Sequence, residues 1–182
     1  MTEAPQILIS KKLATADWYV HTSAIDGSVD YSYLNSTNTF SASSRTFSAT
    51  TAPMINSSGD YIAYLWHSVP GFSKFGSYEG NASANGQSIY LGFQPEIILY
   101  KSTNGTGNWV IYDTARGPYN TNNKRLRVNT NEQEGAVDRV NTFSDGFRLV
   151  SSSFPNTDNL YLYMAWAKSP FSNLYGGQSD AF

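Results

Sequence analysis

The chain has 182 residues, enough to bury roughly 70% of the surface its unfolded form exposes, with no cysteine and a net charge of -2. The lack of cysteine excludes disulfides, thiolate metal sites and cysteine catalysis. Its 12 basic and 14 acidic residues give no field to hold a nucleic acid backbone, so nucleic acid is not an expected partner.

No run approaches the roughly 20 apolar residues of a bilayer span, so no membrane insertion is expected. Met1 to Pro5 lacks the basic and apolar regions of a signal peptide, and synthesis in a host cytoplasm is expected. Aromatics at 15%, with 13 Tyr among abundant Ser, Thr, Asn and Gly, are the composition of a β-protein with polar loops.

In chain order, Ile7-Leu8-Ile9 after Pro5 predicts a first strand, and Asp17-Trp18-Tyr19-Val20-His21 a second. The turn signal Asp26-Gly27 precedes Val29 to Asn35, where Val29, Tyr31 and Tyr33 alternate with Asp30, Ser32 and Leu34. Ser36 to Thr51 holds only Phe40 and Phe47 as large apolar residues and reads as loop or edge strand. Tyr61 to Trp66 is apolar on both faces, which predicts a central strand covered from both sides.

The second half repeats this order. Pro95 to Lys101 matches Pro5 to Lys11, Asn108-Trp109-Val110-Ile111-Tyr112 matches Asp17-Trp18-Tyr19-Val20-His21, and Arg127-Val128-Asn129 sits where Tyr33-Leu34-Asn35 does. Asn141-Thr142-Phe143-Ser144 repeats Asn38-Thr39-Phe40-Ser41, and Tyr161 to Trp166 repeats Tyr61 to Trp66. The offset drifts from about 90 to about 100, which places the length differences in loops.

No segment sustains a helical period. The expected fold is all-β: two tandem antiparallel β-sandwich or jelly-roll-like modules, residues 1–75 and 76–182, the first truncated at its N-terminus. Ser77 to Phe93, with Asn85-Gly86 between two strand-like runs, predicts a β-hairpin that the first module lacks. That absence predicts an open edge, filled by strand addition from another copy or another protein, with Tyr175 to Phe182 as a candidate donor.

Trp66-His67-Ser68-Val69-Pro70-Gly71-Phe72, continuing to Asn81, Ile89 to Pro95, Gly107 to Asp113 and Ser144-Asp145-Gly146-Phe147-Arg148-Leu149 carry a likeness. These strings resemble a module repeated in tail, fibre and other virion proteins of tailed bacteriophages, marine and cyanobacterial phages above all. The resemblance is close over Phe72 to Leu174 and looser in the first half. It implies a place in the virion, with other virion proteins as partners, and no catalytic residues.

Bottom-up, no chemistry stands out. His21 and His67 have no acidic neighbour in sequence, no Gly-x-Ser-x-Gly elbow exists, and the carboxylates Glu79, Glu96, Asp113 and Asp138 form no distinctive pair. Ser57-Ser58-Gly59-Asp60 and Asn156-Thr157-Asp158-Asn159 read as turns before strands, so no metal and no cofactor is expected. The Asn-x-Ser/Thr triplets at Asn35, Asn56, Asn81 and Asn104 read as loop residues.

Two clusters remain as contact candidates. Solvent-facing Tyr31, Tyr33, Tyr78, Tyr119 or Tyr175 can stack on a host surface glycan, or fill a core and a subunit interface instead. Arg116 with Arg125 and Arg127 forms a basic rim beside Glu132 and Glu134, either a solvated hairpin or a docking edge. The expectation is a non-enzymatic, homo-oligomeric virion structural protein of a tail, fibre or appendage. A capsid decoration protein and a host-glycan-binding module are the alternatives.

Overall fold

A computed structural model describes residues 3–47 and 59–169, and among the described residues there is no helix. One sheet is built from β1 (Ile7–Lys12), β2 (Tyr19–Thr22), β3 (Asp30–Tyr33), β4 (Ser41–Ala42) and β5 (Tyr61–Trp66), in the order β4-β3-β2-β1-β5. The other holds β6 (Ser73–Glu79), β7 (Ser88–Tyr90), β8 (Pro95–Ser102), β9 (Val110–Asp113), β10 (Asn122–Arg127), β11 (Gly135–Phe143), β12 (Gly146–Leu149) and β13 (Leu160–Ala167). Its order is β6-β13-β8-β9-β10-β11-β12-β7, and every pairing in both sheets is antiparallel.

The internal repeat is visible as topology. Within the larger sheet, β11-β10-β9-β8-β13 reproduces β4-β3-β2-β1-β5, and the register follows across β1, β2, β3 and β5. It departs at β4, where Ser41 faces Tyr31 but Gly135 faces Arg125, so Asn141 to Ser144 do not hold the places of Asn38 to Ser41 as the sequence match predicts. Ile7 faces Trp66 as Ile97 faces Trp166, Ile9 faces Val20 as Leu99 faces Ile111, and His21 faces Tyr31 as Tyr112 faces Arg125. Even the polar clasp is duplicated: Trp18 N donates to Asn35 Oδ1 at 3.0 Å and Trp109 N to Asn129 Oδ1 at 2.9 Å.

Strand alternation then decides what packs on what. Ile7, Ile9 and Val20 of the smaller sheet meet Leu99, Trp109, Leu162 and Met164 of the larger in one shared core. Trp66 and Trp166, which hold equivalent places, meet edge to face with centroids 6.3 Å apart. Contact between equivalents is what face-to-face pairing about a local two-fold produces. The opposite face of the larger sheet curls around a second core of Tyr78, Phe93, Ile98, Tyr100, Phe147 and Tyr163, which makes it a nearly closed barrel. Among the described residues the smaller sheet's one core cluster is the shared one.

Several expectations are corrected. The boundary between residues 75 and 76 falls inside β6. Ser77 to Phe93 is no hairpin, because β6 pairs with β13 and β7 with β12. The residues between them are held instead by buried Asn156, whose Nδ2 donates to Asn81 Oδ1, Ser83 O and Ser151 O at 2.7–2.9 Å. A Cβ at Gly80 would overlap Thr157 O, so this loop crossing requires glycine. Asn156 to Asn159 is therefore a structural knot and not merely a turn.

Tyr61 to Trp66 is a second correction: among the described residues β5 has one ladder neighbour, β1, whereas β13 lies between β6 and β8. The ends of the larger sheet, β6 and β7, approach each other without a ladder. Lys74 Nζ donates to Tyr90 O at 2.8 Å and Gln87 Nε2 donates to Glu79 O, so side chains make the joint.

Candidate functional site

The face of the smaller sheet that points away from the shared core carries a cluster of aromatic side chains, three of them half-buried and one, His21, buried. Period-two alternation sends Trp18 and Val20 inward and Tyr19 and His21 outward, and on the neighbouring strand Tyr31 and Tyr33 follow them. The register makes two cross-strand pairs. Tyr19 and Tyr33 have centroids 4.9 Å apart, and His21 stacks on Tyr31 at 5.5 Å with ring planes 21° apart. Tyr31 and Tyr33 complete a two-by-two array at 6.2 Å, edge to face. Such cross-strand aromatic pairs add about 0.2–1 kcal/mol each to the sheet.

Over this array lies a hollow of about 330 Å³, floored by Tyr19, His21, Tyr31 and Tyr33 and rimmed by Ser44 and Arg45. His21 is 2% exposed and its Nδ1 has no hydrogen-bond partner. Burial, and then the Arg45 guanidinium, push its pKa down to about 4, so the ring is neutral at ordinary pH. Burial first, and then a hydrogen bond with Tyr19, raise the Tyr33 hydroxyl above its usual value. A second hollow of about 500 Å³ adjoins the first along Ser43 to Arg45 and opens towards Gln6 and Gly27.

The equivalent face in the larger sheet explains the shape. Ile98, Tyr100, Val110 and Tyr112, the counterparts of Leu8, Ser10, Tyr19 and His21, lie in the barrel core. There β12 and β7 continue the sheet past β11 and Phe147 fills the interior; the smaller sheet has no described strand beyond β4. Among the described residues no strand occupies the equivalent place over the hollow.

Of the residues singled out in sequence, Tyr31 and Tyr33 therefore share one site. Tyr78 does not belong with them: it is buried in the barrel, stacked on Tyr161 at 5.2 Å, with its hydroxyl donating to Pro155 O at 2.8 Å. It is a core residue because β6 turns residue 78 to the inner face. Tyr119 stands 83% exposed in the loop between β9 and β10. Tyr175 lies outside the described residues.

The basic rim carries ion pairs of its own. Arg116 bridges Asp113 and Glu134, Lys124 reaches Glu134 at 3.0 Å, and Arg127 pairs with Glu132. Exposed pairs of this kind contribute roughly 0–1 kcal/mol each. In register, Arg125 and Arg127 stand where Tyr31 and Tyr33 stand in the smaller sheet, so equivalent positions carry different chemistry.

His67 Nδ1 lies 3.4 Å from Glu3 Oε2, an acidic partner distant in sequence. Glu96 accepts from Thr114 Oγ1 at 2.7 Å, which ties that carboxylate to the framework. Among the described residues no three His, Asp or Glu side chains gather as metal ligands.

The sequence match did not single out Lys101. Its counterpart Lys11 is half-buried, whereas Lys101 is 0% exposed, and its Nζ donates to Ser102 O at 2.6 Å and Gly105 O at 3.4 Å. Burial pushes its pKa down to about 8. The signal was the alternation Ile97-Leu99-Lys101, which puts all three on the face that meets the smaller sheet.

Residues 1–170 match a family model described as a domain of unknown function, DUF7483. No curated protein and no solved structure matches the chain.

Proposed function

The chain belongs to the DUF7483 family, and we propose that it is a non-enzymatic structural subunit of a bacteriophage virion, built into a tail, fibre or appendage through strand addition at β5. The likeness of Trp66 to Asn81 and of Ser144 to Leu149 to a repeated virion module supports the setting. The observation that carries the mode of assembly is that β5 has one ladder neighbour among the described residues. Its counterpart β13 is covered on the other flank by β6, while β5 has no described neighbour there.

Edges of this kind are usually blunted with Lys, Pro or a bulge. Tyr61-Ile62-Ala63-Tyr64-Leu65-Trp66 has none of these, and Ile62 and Tyr64 are 37% and 45% exposed. A strand of another copy, paired as β6 pairs with β13, satisfies the row of backbone groups and covers these side chains. In this reading the chain is two modules of one design, β1–β5 and β6–β13, the first completed by its neighbour in a homo-oligomer.

Replacing Ile62 and Tyr64 together by Lys tests it. Both side chains are partly exposed, and Tyr64 stacks on Trp66, so the monomer stays folded with a lowered melting temperature, and sedimentation shows loss of the oligomer. An oligomer that survives the double substitution overturns the assembly mode. Absence of the protein from gradient-purified virions overturns the setting. Electron micrographs of labelled virions then distinguish trimers on a tail from the shell-wide copies of a decoration protein.

A further inference from the structure

We propose that the hollow over Tyr19, His21, Tyr31 and Tyr33 is a saccharide-binding site, in which the tyrosine array takes the apolar face of a pyranose ring and His21 Nδ1 hydrogen-bonds one of its hydroxyls. The inference concerns the face of the smaller sheet, not the β5 edge, and stands apart from the assembly reading.

Three observations converge on this ligand. The first is the array itself: three tyrosines and a histidine on two adjacent strands cluster beneath a hollow of about 330 Å³, at the small end of the roughly 300–1,000 Å³ typical of ligand pockets. The equivalent face of the larger sheet is occupied by side chains of the barrel core.

The second is the unpaired nitrogen. A buried polar atom without a partner costs about 1–3 kcal/mol, and His21 is the only residue of the array in that condition among the described residues. Rotation of the imidazole about χ2 is the movement that a ligand hydroxyl has to induce to reach it. Because the ring stays neutral down to about pH 4, it offers one acceptor and one donor nitrogen, the pair of roles that a sugar hydroxyl complements.

The third is the rim. Ser44, the tyrosine hydroxyls and Arg45 surround an apolar floor, and a pyranose has the matching form, C–H groups on its face and hydroxyls at its edge. A lipid tail would leave these polar groups dry. A nucleic acid strand would need a basic track that a chain of net charge -2 does not provide.

The experiment is a glycan array probed with the full chain, followed by titration of the retained sugars, with a single-stranded oligonucleotide in parallel. The expected result is retention of oligosaccharides, weakened at least ten-fold by Tyr31→Ala and left unchanged by Tyr119→Ala in the remote loop. Tyr31→Leu keeps the apolar volume without the ring, so it serves if the alanine variant does not fold, and the same loss is expected. No sugar retained at millimolar concentration, equal loss from Tyr31→Ala and Tyr119→Ala, or preference for the oligonucleotide overturns the proposal. None of these variants touches β5, so the oligomer is expected to persist in all of them.

Discussion

β5 and β13 are near-twins in sequence and opposites in circumstance. Tyr61-Ile62-Ala63-Tyr64-Leu65-Trp66 pairs with β1 alone among the described strands, while Tyr161-Leu162-Tyr163-Met164-Ala165-Trp166 is hydrogen-bonded on both flanks and packed on both faces. Residues 161, 163 and 165 fill the barrel; 162 and 164 fill the shared core. What differs is the company each strand keeps, since β6 flanks β13 and β12 and β7 complete the barrel beneath it. Amphipathic pattern thus specifies which face a residue takes, and the strands added around it decide whether that face is core or site.

The comparison can be broken most decisively at Leu162. Leu162→Ala removes a fully buried side chain of the shared core and is expected to cost about 2–5 kcal/mol, read as a shift in denaturation midpoint at constant slope. A cost below that range would mean that the two sheets do not share a core as described.

Next comes Lys101, the buried counterpart of Lys11. Its folded pKa of about 8 lies below the ordinary 10.5, so the unfolded chain binds the extra proton between these values and stability rises with pH across that window. The rise is on the order of 2–3 kcal/mol, and below pH 8 the contribution is flat. Above pH 10 it is opposed by the buried tyrosines: burial pushes the Tyr163 hydroxyl up to about 12, and stability is lost as the unfolded chain ionises first. Lys101→Met is expected to remove the rise between pH 8 and 10 and leave the loss above it. An unchanged profile in urea titrations would show that Lys101 is solvated.

Smaller again is the coupling of Trp66 with Trp166. A double-mutant cycle to Ala should give an interaction of about 0.5–1.5 kcal/mol, as for edge-to-face aromatic pairs, and zero coupling would remove the local two-fold contact. The smallest effect belongs to Ile62→Ala, the equivalent of Leu162→Ala. On the exposed edge it is expected to change monomer stability by less than about 1 kcal/mol.

Much of the framework was legible because it is written twice. The match of Trp18 and Asn35 with Trp109 and Asn129 predicted a correspondence that the structure reproduces down to the same backbone-to-amide hydrogen bond. Strand faces could be read as well, since alternation is local. Ladder partners could not, because nothing local to Ser77 or Ser88 says that each will pair with a strand more than fifty residues onward. The same ignorance made β5 look central and Tyr78 look exposed. At the candidate site, Tyr31 and Tyr33 stood out by their aromatic character, whereas Tyr19 and His21 joined them only through the cross-strand register.

The joint between β6 and β7 gives the barrel a line along which it can part. Elsewhere around the ring, opening means breaking a row of backbone hydrogen bonds; here it means releasing Lys74 from Tyr90 O and Gln87 from Glu79 O. Amides facing this slit are those expected to trade hydrogen for deuterium ahead of the amides of β8 and β13. Once parted, β6 remains seated on β13, so the movement exposes a fresh flank without dismantling the pair beneath it.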